Sequence, residues 1–593
     1  MILRCIALTC LLMIGIGSTK AQTPSLSSVF PAGGKSGTTV DLKLSGKNLK
    51  NVGQLFFSHP GIKSRSIKSN MVQIDITSDV PDGEYDVWVL TESGLTNPRR
   101  FVVGSRAEIS EKESNNDLST AQKVTMPVTI NGTLNPGTDR DFYRFHVKAG
   151  DAIHLRFRSL SIDGTARAAF TLYGPNGEEL LHDDGRSGES SLAFQASKSG
   201  SYILGIEERG FQTGANNVYR LSIFSGPRLV AAFPHILPRG KSQPVTLYGY
   251  NLPGGILVDQ QPVNSRVKSS VRVLPLQKLQ VRIECPDAGD SDGGGWLSSH
   301  ASMIDGFIYR HPNIPGAIRF GLIDGPVELE TDALHGSKEK AQRVPFPCTI
   351  AGRFLTPGEV DWYRMSVKKG QTLWLETVGE RGGRQMDLEL AVHDGGGKIL
   401  QEASDFAVKK STIPVNTLDA MCAWKVPADG EYYIVVRDLY GNARFGVDRN
   451  YRLHVGKRTE KVTVTALPMG KTAAGFAVPR GGTAKLQIST VRYNGHQDPI
   501  RIRAEKLPSG LQAEAVTIPA KKNDATMIFT AAKNAKSRID RLQLVAETTV
   551  NGKKTTFPVV AMSPVNAGSP EIRRCQGLVA AICENPPAKK TKK

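Results

Sequence analysis

The side chains of this sequence best suited to chemistry are the carboxylates and amides of one acidic stretch, EISEKESNNDLSTAQ, which begins at Glu108. Two aspartates follow shortly after it in TDRDFY. Calcium takes about six to eight oxygen ligands, and carboxylates and amide carbonyls at near-alternate positions supply them. A solvated acidic linker, capped by Asn and Asp turns, is the alternative reading of these residues. The sequence predicts a calcium site whose candidate ligands are Glu111, Glu113, Asn115, Asn116, Asp139 and Asp141.

Sequence motifs for nucleophilic, metal-hydrolase or phosphate chemistry are missing or stand in the wrong context. The Gly-x-Ser-x-Gly pattern occurs once, as GDSDG from Gly289, but it lies in a glycine-rich stretch with no helical pattern after it, unlike a nucleophile elbow. The 11 histidines form no His-Glu-x-x-His pair for zinc. The Gly34-Lys35-Ser36 turn lacks the upstream glycine of a phosphate-binding loop, because Val29 stands in its place. We therefore expect that this chain is not an enzyme.

The first residues predict export from the cytoplasm. Arg4 precedes an apolar run from Cys5 to Ile16, and small residues lead to a cleavage position after Ala21. This order is typical of a secretory signal peptide over residues 1–21, and the apolar run is too short for a permanent membrane anchor. No later segment has the apolar length of a transmembrane helix. We expect a soluble or peripherally attached protein in the periplasm, at the cell surface or outside the cell.

The net charge favours anionic partners. The chain carries a formal charge of +19, and removal of Arg4 and Lys20 with the signal peptide leaves +17 (19 − 2). Outside the cell such a charge favours acidic polysaccharide, lipopolysaccharide or cell-wall phosphate. Nucleic acid is not an expected partner, because nothing in the sequence resembles a nucleic-acid-binding module.

The cysteines are too sparse to form a disulfide scaffold, so each domain must be held by its own hydrophobic core. Of the 7 cysteines, Cys5 and Cys10 fall within the predicted signal peptide. Cys575 and Cys583 flank the apolar run CQGLVAAIC near the end of the sequence. They either pair in an oxidising compartment or remain free thiols, and the sequence leaves both possibilities open.

Short strand signals with alternating polarity, such as TVDLKLSG and YRFHVKAG, recur along the whole sequence between Gly, Pro, Asn and Asp. This spacing predicts an all-β chain of several β-sandwiches in series. Two repeats are interleaved. The A repeat starts as PSLSSVFPAGGKSG at Pro24 and returns as PRLVAAFPHILPRGKS at Pro227. The B repeat contains INGTLNPGTDRDFYRF and returns as IAGRFLTPGEVDWYRM, and a fifth unit with LPSGLQAEAVTIPA follows.

These motifs resemble known families of domains. The A units, with a proline-led strand and a Gly-x-Asn-Leu turn, resemble TIG-type immunoglobulin-like domains. The B units, with a Gly-Thr-Leu turn, Asp-Phe-Tyr-x-Phe and Tyr-x-Leu strands, resemble the bacterial pre-peptidase C-terminal domain. The tandem resembles exported proteins of planctomycete-like bacteria. The resemblance implies serial immunoglobulin-like and jelly-roll-like β-sandwiches, but it says little about function, because one fold hosts many functions.

The predicted domain boundaries follow from these repeats. They are a signal peptide at 1–21, a TIG/immunoglobulin-like sandwich at 22–104, a pre-peptidase-like sandwich at 105–226, a divergent TIG-like sandwich at 227–326, a second pre-peptidase-like sandwich at 327–456, an immunoglobulin- or fibronectin-like sandwich at 457–566 and a basic tail at 567–593.

The resemblance also bears on calcium. Related sandwich domains hold calcium with a Glu-x-Glu-x-Asn segment and aspartates on the following strand, a pattern that the six candidate ligands match, Asp139 only loosely. The second B unit has Glu328 and Glu330, with Glu359 and Asp361 on its strand, but no Asn-Asn step. We therefore expect calcium to be weaker or absent there.

Two functions fit this reading. The first is a non-catalytic extracytoplasmic binding or scaffold protein that engages polysaccharide, protein or cell-surface polymer through its sandwiches. The alternative is an accessory or targeting protein for secreted proteases. The first predicts retention on insoluble polymer, and the second predicts co-purification with an enzyme.

Overall fold

The computed structural model describes residues 23–185, 189–258, 272–289, 304–331, 335–407, 416–468, 475–565 and 572–584. The predicted signal peptide lies outside these ranges. The described residues form β-strands and two 3₁₀ helices, Leu160–Ile162 and Lys338–Lys340. Within the same ranges, no helix has the length and apolar character required to cross a bilayer. The predicted all-β fold class is confirmed.

The first sandwich is the first copy of the A repeat. Its strands are β1 (Ser25–Phe30), β2 (Gly33–Lys35), β3 (Thr39–Lys47), β4 (Val52–Phe57), β5 (Ile62–Lys68), β6 (Met71–Ile76), β7 (Gly83–Thr91), β8 (Gly94–Leu95) and β9 (Arg99–Gly104). One sheet has the order β1-β3-β6-β5 and the other β2-β9-β7-β4. On β3, Leu42 and Leu44 are buried while Asp41 and Lys43 are exposed, which is the alternation of a strand with one face on the core.

The second sandwich is the first copy of the B repeat. Its strands are β10 (Ala107–Ser110), β11 (Gln122–Lys123), β12 (Val128–Thr133), β13 (Arg140–Val147), β14 (Ala152–Arg158), β15 (Ala168–Tyr173), β16 (Glu179–Asp183), β17 (Ser191–Gln195), β18 (Gly200–Glu208) and β19 (Val218–Ser225). One sheet runs β10-β12-β19-β14-β17 and the other β11-β13-β18-β15-β16. Tyr143 and Phe145 of β13 and Leu221 of β19 face each other in the core between the sheets.

The third sandwich repeats the topology of the first in shorter form. Its strands are β20 (Arg228–Phe233), β21 (Ile236–Pro238), β22 (Ser242–Tyr250), β23 (Ile256–Leu257), β24 (Arg272–Val273), β25 (Gln277–Glu284), β26 (Gly306–Tyr309) and β27 (Ile318–Ile323). The sheets run β20-β22-β25-β23 and β21-β27-β26. Strand β24 instead pairs with β17 and so extends a sheet of the second sandwich.

The fourth sandwich has the same strand order as the second. Its strands are β28 (Glu328–Leu329), β29 (Gln342–Arg343), β30 (Cys348–Arg353), β31 (Val360–Val367), β32 (Thr372–Val378), β33 (Leu388–His393), β34 (Ile399–Ala403), β35 (Met421–Lys425), β36 (Gly430–Asp438) and β37 (Asn450–Lys457). The sheets run β28-β30-β37-β32-β35 and β29-β31-β36-β33-β34. Position by position, β13 therefore corresponds to β31 and β19 to β37.

The fifth sandwich packs against the first sandwich. Its strands are β38 (Lys461–Pro468), β39 (Phe476–Pro479), β40 (Thr483–Tyr493), β41 (Ile500–Lys506), β42 (Leu511–Ala513), β43 (Val516–Ile518), β44 (Asp524–Ala531), β45 (Arg538–Val550), β46 (Lys553–Pro558), β47 (Val560–Pro564), β48 (Ile572–Arg574) and β49 (Leu578–Cys583). The sheets run β42-β44-β40-β38-β47-β48 and β39-β49-β45-β41-β43. Trp88, Leu90 and Leu95 of the first sandwich lie in the same buried cluster as the fifth sandwich's core.

A buried ionic network joins three of the sandwiches. The guanidinium of Arg573 in β48 binds both carboxylate oxygens of Asp163 in the second sandwich, at 2.6 and 2.7 Å. It also lies 2.9 Å from Asp86 in β7, which Arg100 approaches at 3.4 Å. Arg573, Asp86 and Asp163 are at most 2% exposed. Burial would raise the pKa of Asp86, but Arg100 and Arg573 outweigh it and hold that pKa below its ordinary value.

The predicted basic tail from residue 567 is wrong for residues 572–584. Strand β49 carries the apolar run that follows Cys575, and it pairs with both β39 and β45. Those apolar side chains are buried. The free energy gained by burying them stabilises this segment as a strand, although the flanking sequence is basic. Cys575 and Cys583 are both buried free thiols. Residues 585–593 lie outside the described ranges.

Candidate functional site

Two of the predicted calcium ligands reach one point from opposite sheets of the second sandwich. Glu111 directly follows β10 in one sheet, where its amide donates to Asn131 O at 2.9 Å. Asp141 lies on β13 in the other sheet and is fully buried. The hydroxyl of Tyr219 donates to Asp141 Oδ2 at 2.7 Å and lies 3.5 Å from Glu111 Oε2. The ligand atoms of Glu111, Glu113 and Asp141 all lie within 4.8 Å of one another.

Asn115 contributes buried polar atoms to the same point. Its carbonyl oxygen accepts a 2.8 Å hydrogen bond from the amide of Phe142, which fixes it beside β13. Its side chain is 0% exposed and interacts with the Tyr143 hydroxyl, but neither Oδ1 nor Nδ2 makes a hydrogen bond of ordinary geometry. Asp141 Oδ1 is also buried without such a bond. Buried polar atoms in folded proteins almost always have partners, so the position of Asp141 Oδ1 between the two sheets is unusual.

The remaining candidates occupy the margin of the site. Asp139 is buried, but its two carboxylate oxygens accept the amides of Asn135 and Arg140 at 3.0 and 2.9 Å, so they hold the preceding turn. The end of the Asn116 side chain lies 3.1 Å from Arg140 O and 3.2 Å from Glu113 Oε2, and it donates to both when its amide nitrogen is assigned to that side. The structure therefore brings the carboxylates of Glu111, Glu113 and Asp141 together, with Asn115 on the same segment. Asp139 and Asn116 instead make hydrogen bonds that hold the neighbouring backbone in place.

The acidic segment lies within the second sandwich and does not link it to the first. Strand β10 already belongs to the second sandwich, where it pairs in parallel with β12. The acidic segment then crosses from that sheet to β11 in the opposite sheet. Its sequence reads as a linker because crossovers between sheets carry the same turn-forming residues.

Two tyrosines complete the site, and the sequence reading did not single them out. Tyr219 of β19 and Tyr143 of β13 share a 2.5 Å hydroxyl–hydroxyl hydrogen bond in the core. Gly132 of β12 makes room for them, because a Cβ there would overlap both the Tyr219 ring and Glu111. The signal was present in the repeats, which have tyrosine at the same positions in DFYRF and DWYRM and in VYRL and NYRL.

The electrostatics of the site favour a bound cation or a bound proton. Burial raises the pKa of Glu111 to about 7, despite the hydrogen bonds from Thr133. Burial and then repulsion from Glu111 raise the pKa of Asp141 to about 8. Burial and then repulsion from Asp139 raise the pKa of Glu113. A divalent cation between these carboxylates would neutralise charges that are otherwise buried close together.

These shifts predict how metal-free stability depends on pH. Between the ordinary carboxyl pKa and the raised values, from about pH 4 to about pH 8, the folded state binds more protons than the unfolded state. In chelator we therefore expect the second sandwich to lose stability as the pH rises through that window. Scanning calorimetry of wild type and Asp141→Asn at pH 5, 6.5 and 8 checks this, and the variant should show a flatter slope. Equal slopes would contradict the assignment of the titration to this site.

The fourth sandwich holds a second version of the site. The hydroxyl of Tyr451 donates to Asp361 Oδ2 at 2.5 Å, and Tyr363 and Tyr451 share a 2.6 Å hydrogen bond. The amide of Glu330 donates to Ala351 O at 3.1 Å, as that of Glu111 does to Asn131 O. Glu359 accepts the turn amides of residues 355 and 356, as Asp139 accepts those of its own turn.

Comparisons with known proteins agree with this duplication. Residues 139–208 and 359–438 match the bacterial pre-peptidase C-terminal domain. The pre-peptidase C-terminal domain of collagenase from Bacillus anthracis matches at 16% identity, over 22% of this chain and 99% of that chain, with a TM-score of 0.15. A search of curated proteins finds no match. The resemblance of the B units to this domain is confirmed, while the TIG resemblance and the planctomycete-like origin stay predictions.

Two further solved structures show likeness over longer stretches. Bifidobacterium dentium beta-glucuronidase matches at 11% identity, over 34% of this chain and 40% of that chain, with a TM-score of 0.17. The eight N-terminal Ig domains of Down Syndrome Cell Adhesion Molecule match at 10% identity, over 91% of this chain and 85% of that chain, with a TM-score of 0.13.

Proposed function

We propose that this chain is a non-catalytic binding and scaffold protein that works outside the cytoplasm, with a calcium ion fixing its second sandwich. The observation that carries the calcium site is the group of carboxylates in the second sandwich. The ligand atoms of Glu111, Glu113 and Asp141 lie within 4.8 Å of one another, and Asp141 Oδ1 is buried without a hydrogen bond. The described part of the chain is built from β-sandwiches, which display loops at fixed positions rather than enclose a reaction.

Calcium fits the donor set of the first site. Glu111, Glu113 and Asp141 offer carboxylate oxygens and Asn115 an amide oxygen, which are the hard ligands that calcium prefers. Waters can complete the coordination on the side of Glu113, which is exposed. Because Glu111 and Asp141 belong to opposite sheets, an ion bound by both would clamp the two sheets together.

Exposed cations on the fifth sandwich support an anionic partner. The chain's formal charge is +19, and a surface of that sign raises the local concentration of acidic polymers. Acidic polysaccharide or an acidic protein of the cell surface is therefore the proposed partner class. The exposed lysines of this sandwich include Lys485, Lys506, Lys521, Lys522, Lys533, Lys536, Lys553 and Lys554.

Retention on immobilised polysaccharide tests the binding function. We expect the full chain to be retained on an acidic polysaccharide at low ionic strength and to be released by salt, because exposed charges are screened beyond about 10 Å at 0.1 M salt. Lys553→Glu with Lys554→Glu should elute at a lower salt concentration than the matched pair Lys368→Glu with Lys369→Glu, whose exposed lysines lie on the fourth sandwich. No soluble sugar should be released.

Equal retention on a neutral polysaccharide, or retention that salt leaves unchanged, would contradict the proposed partner class. Release of soluble product by the chain alone would contradict the non-catalytic assignment.

A second candidate function is assistance to secreted proteolysis. It is favoured by the two matches to a domain described as pre-peptidase C-terminal. An accessory of this kind would co-purify with a secreted protease and change its activity or lifetime, and would need no polysaccharide. Co-purification without polymer retention would favour this candidate over the first.

A further inference from the structure

The fourth sandwich contains a buried cluster that pairs two carboxylates with an imidazole. His335 Nε2 lies 3.4 Å from Glu330 Oε1 and 3.5 Å from Asp361 Oδ1. The three residues are 4%, 8% and 1% exposed respectively. Their ligand atoms lie within 4.8 Å of one another. The cluster has the same place between the sheets as the oxygen cluster of the second sandwich.

His335 replaces Asn115 in this second version of the site. The carbonyl of His335 accepts a 3.0 Å hydrogen bond from the amide of Trp362, as the carbonyl of Asn115 accepts one from Phe142. Trp362 follows Asp361 as Phe142 follows Asp141. An amide oxygen of the first site has therefore become an imidazole nitrogen at the same backbone position.

We propose that Glu330, His335 and Asp361 form a binding site for a zinc-class divalent ion, distinct in metal preference from the oxygen site of the second sandwich. A tetrahedral zinc site with ligands at 2.0–2.1 Å has edges of about 3.3–3.4 Å between ligand atoms. The two distances from His335 Nε2 are close to those edges. Imidazole nitrogen suits zinc and its neighbours, whereas calcium takes oxygen ligands.

In each of the two carboxylates, one oxygen accepts a hydrogen bond, and this bond orients the second oxygen toward His335. Glu330 Oε2 accepts the amide of Arg353 at 2.8 Å, and Asp361 Oδ2 accepts the hydroxyl of Tyr451. The oxygens near His335 are Oε1 and Oδ1, the remaining member of each pair. Partners of this kind hold metal ligands in position and are a regular part of metal sites. Three protein ligands leave one tetrahedral position for a water molecule.

Calcium fits this site less well than the first. Among the described residues, Glu359 lies near the cluster, but its Oε2 accepts amides of its own turn. A small ion with a nitrogen ligand requires fewer oxygens than calcium.

Cobalt(II) is the probe for this site, because tetrahedral cobalt absorbs visible light and zinc displaces it. The full chain is freed of metal with a chelator, dialysed and titrated with cobalt at pH 7.5. We expect one equivalent of cobalt with tetrahedral absorption, displaced by zinc and not by calcium. His335→Asn and Glu330→Gln should each weaken zinc binding by at least about 100-fold, since even indirect partners of a metal commonly matter 10–100-fold.

Matched variants separate this site from others in the chain. Glu328→Gln, in strand β28 two residues before Glu330 and outside the cluster, should bind as the wild type does. Asp141→Asn should leave zinc binding unchanged, so failure of the calcium proposal does not affect this test. Circular dichroism establishes that His335→Asn and Glu330→Gln are folded before binding is compared.

Absence of tetrahedral absorption would overturn the proposal and leave His335 as a structural partner of the two carboxylates. Absorption that His335→Asn leaves unchanged, or that calcium removes, would overturn it as well.

Discussion

Replacement of Arg573 with methionine is expected to lower the free energy of unfolding of the unit that contains the first and fifth sandwiches by about 3–5 kcal/mol. Methionine keeps apolar volume but removes the charge that both Asp86 and Asp163 contact. Arg100 remains near Asp86, and Asp163 keeps the amide of Arg100 at 2.9 Å and the electrostatic attraction of the buried Arg99. Two buried carboxylates lose the cation that lies closest to them, which costs more than the loss of a surface pair.

Urea unfolding followed by fluorescence measures this loss. Lys368→Met is the matched control, because Lys368 and Asp429 form an exposed ion pair that solvent screens, so its loss should change the free energy of unfolding little. In a double-mutant cycle, Asp163→Asn should cost much less in the Arg573→Met background than in the wild type. A loss below about 1 kcal/mol for Arg573→Met would contradict the role assigned to the network.

Calcium is expected to protect the second sandwich against local opening. At a free concentration 100 times its dissociation constant, a ligand that binds only the folded state adds about 2.7 kcal/mol of stability. Here the folded state alone brings Glu111 and Asp141 together from opposite sheets. Asp141→Asn should remove the protection, because it removes a buried carboxylate from the centre of the site.

Hydrogen exchange of the full chain measures this protection. Calcium should slow exchange at the amides of residues 111–117 and at the start of β13 in the wild type. Asp361→Asn is the matched control, since it makes the same change at the equivalent position of the fourth sandwich. The prediction is contradicted if calcium leaves these amides unchanged, or if both variants lose the protection equally.

Much of the fold could be predicted from local patterns. Alternating strands such as TVDLKLSG, and repeats such as DFYRF and DWYRM, are enough to predict duplicated β-sandwiches. The contact between the two ends of the chain could not be predicted in this way. Asp163 and Arg573 are 410 positions apart and neither belongs to a distinctive motif. The apolar strand after Cys575 was mistaken for part of a tail because its pairing partners lie far away in the sequence.

The acidic residues of the candidate site could be predicted from the sequence, but the contacts of their side chains could be predicted only in part. Glu111 and Asp141 stand out by charge, and the structure brings them together. Asp139 looks equivalent to Asp141 in TDRDFY, but its oxygens accept amides of its own turn. His335 was missed because one additional residue separates it from Glu330, compared with the spacing of Asn115 from Glu111.

The most direct test of the central claim is calorimetric titration of calcium into the chelator-treated full chain at pH 7.5. Binding of one calcium per chain is expected in the wild type and in Asp361→Asn, and its loss is expected in Asp141→Asn. Absence of binding heat in the wild type, or binding that Asp141→Asn leaves intact, would contradict a calcium-fixed second sandwich.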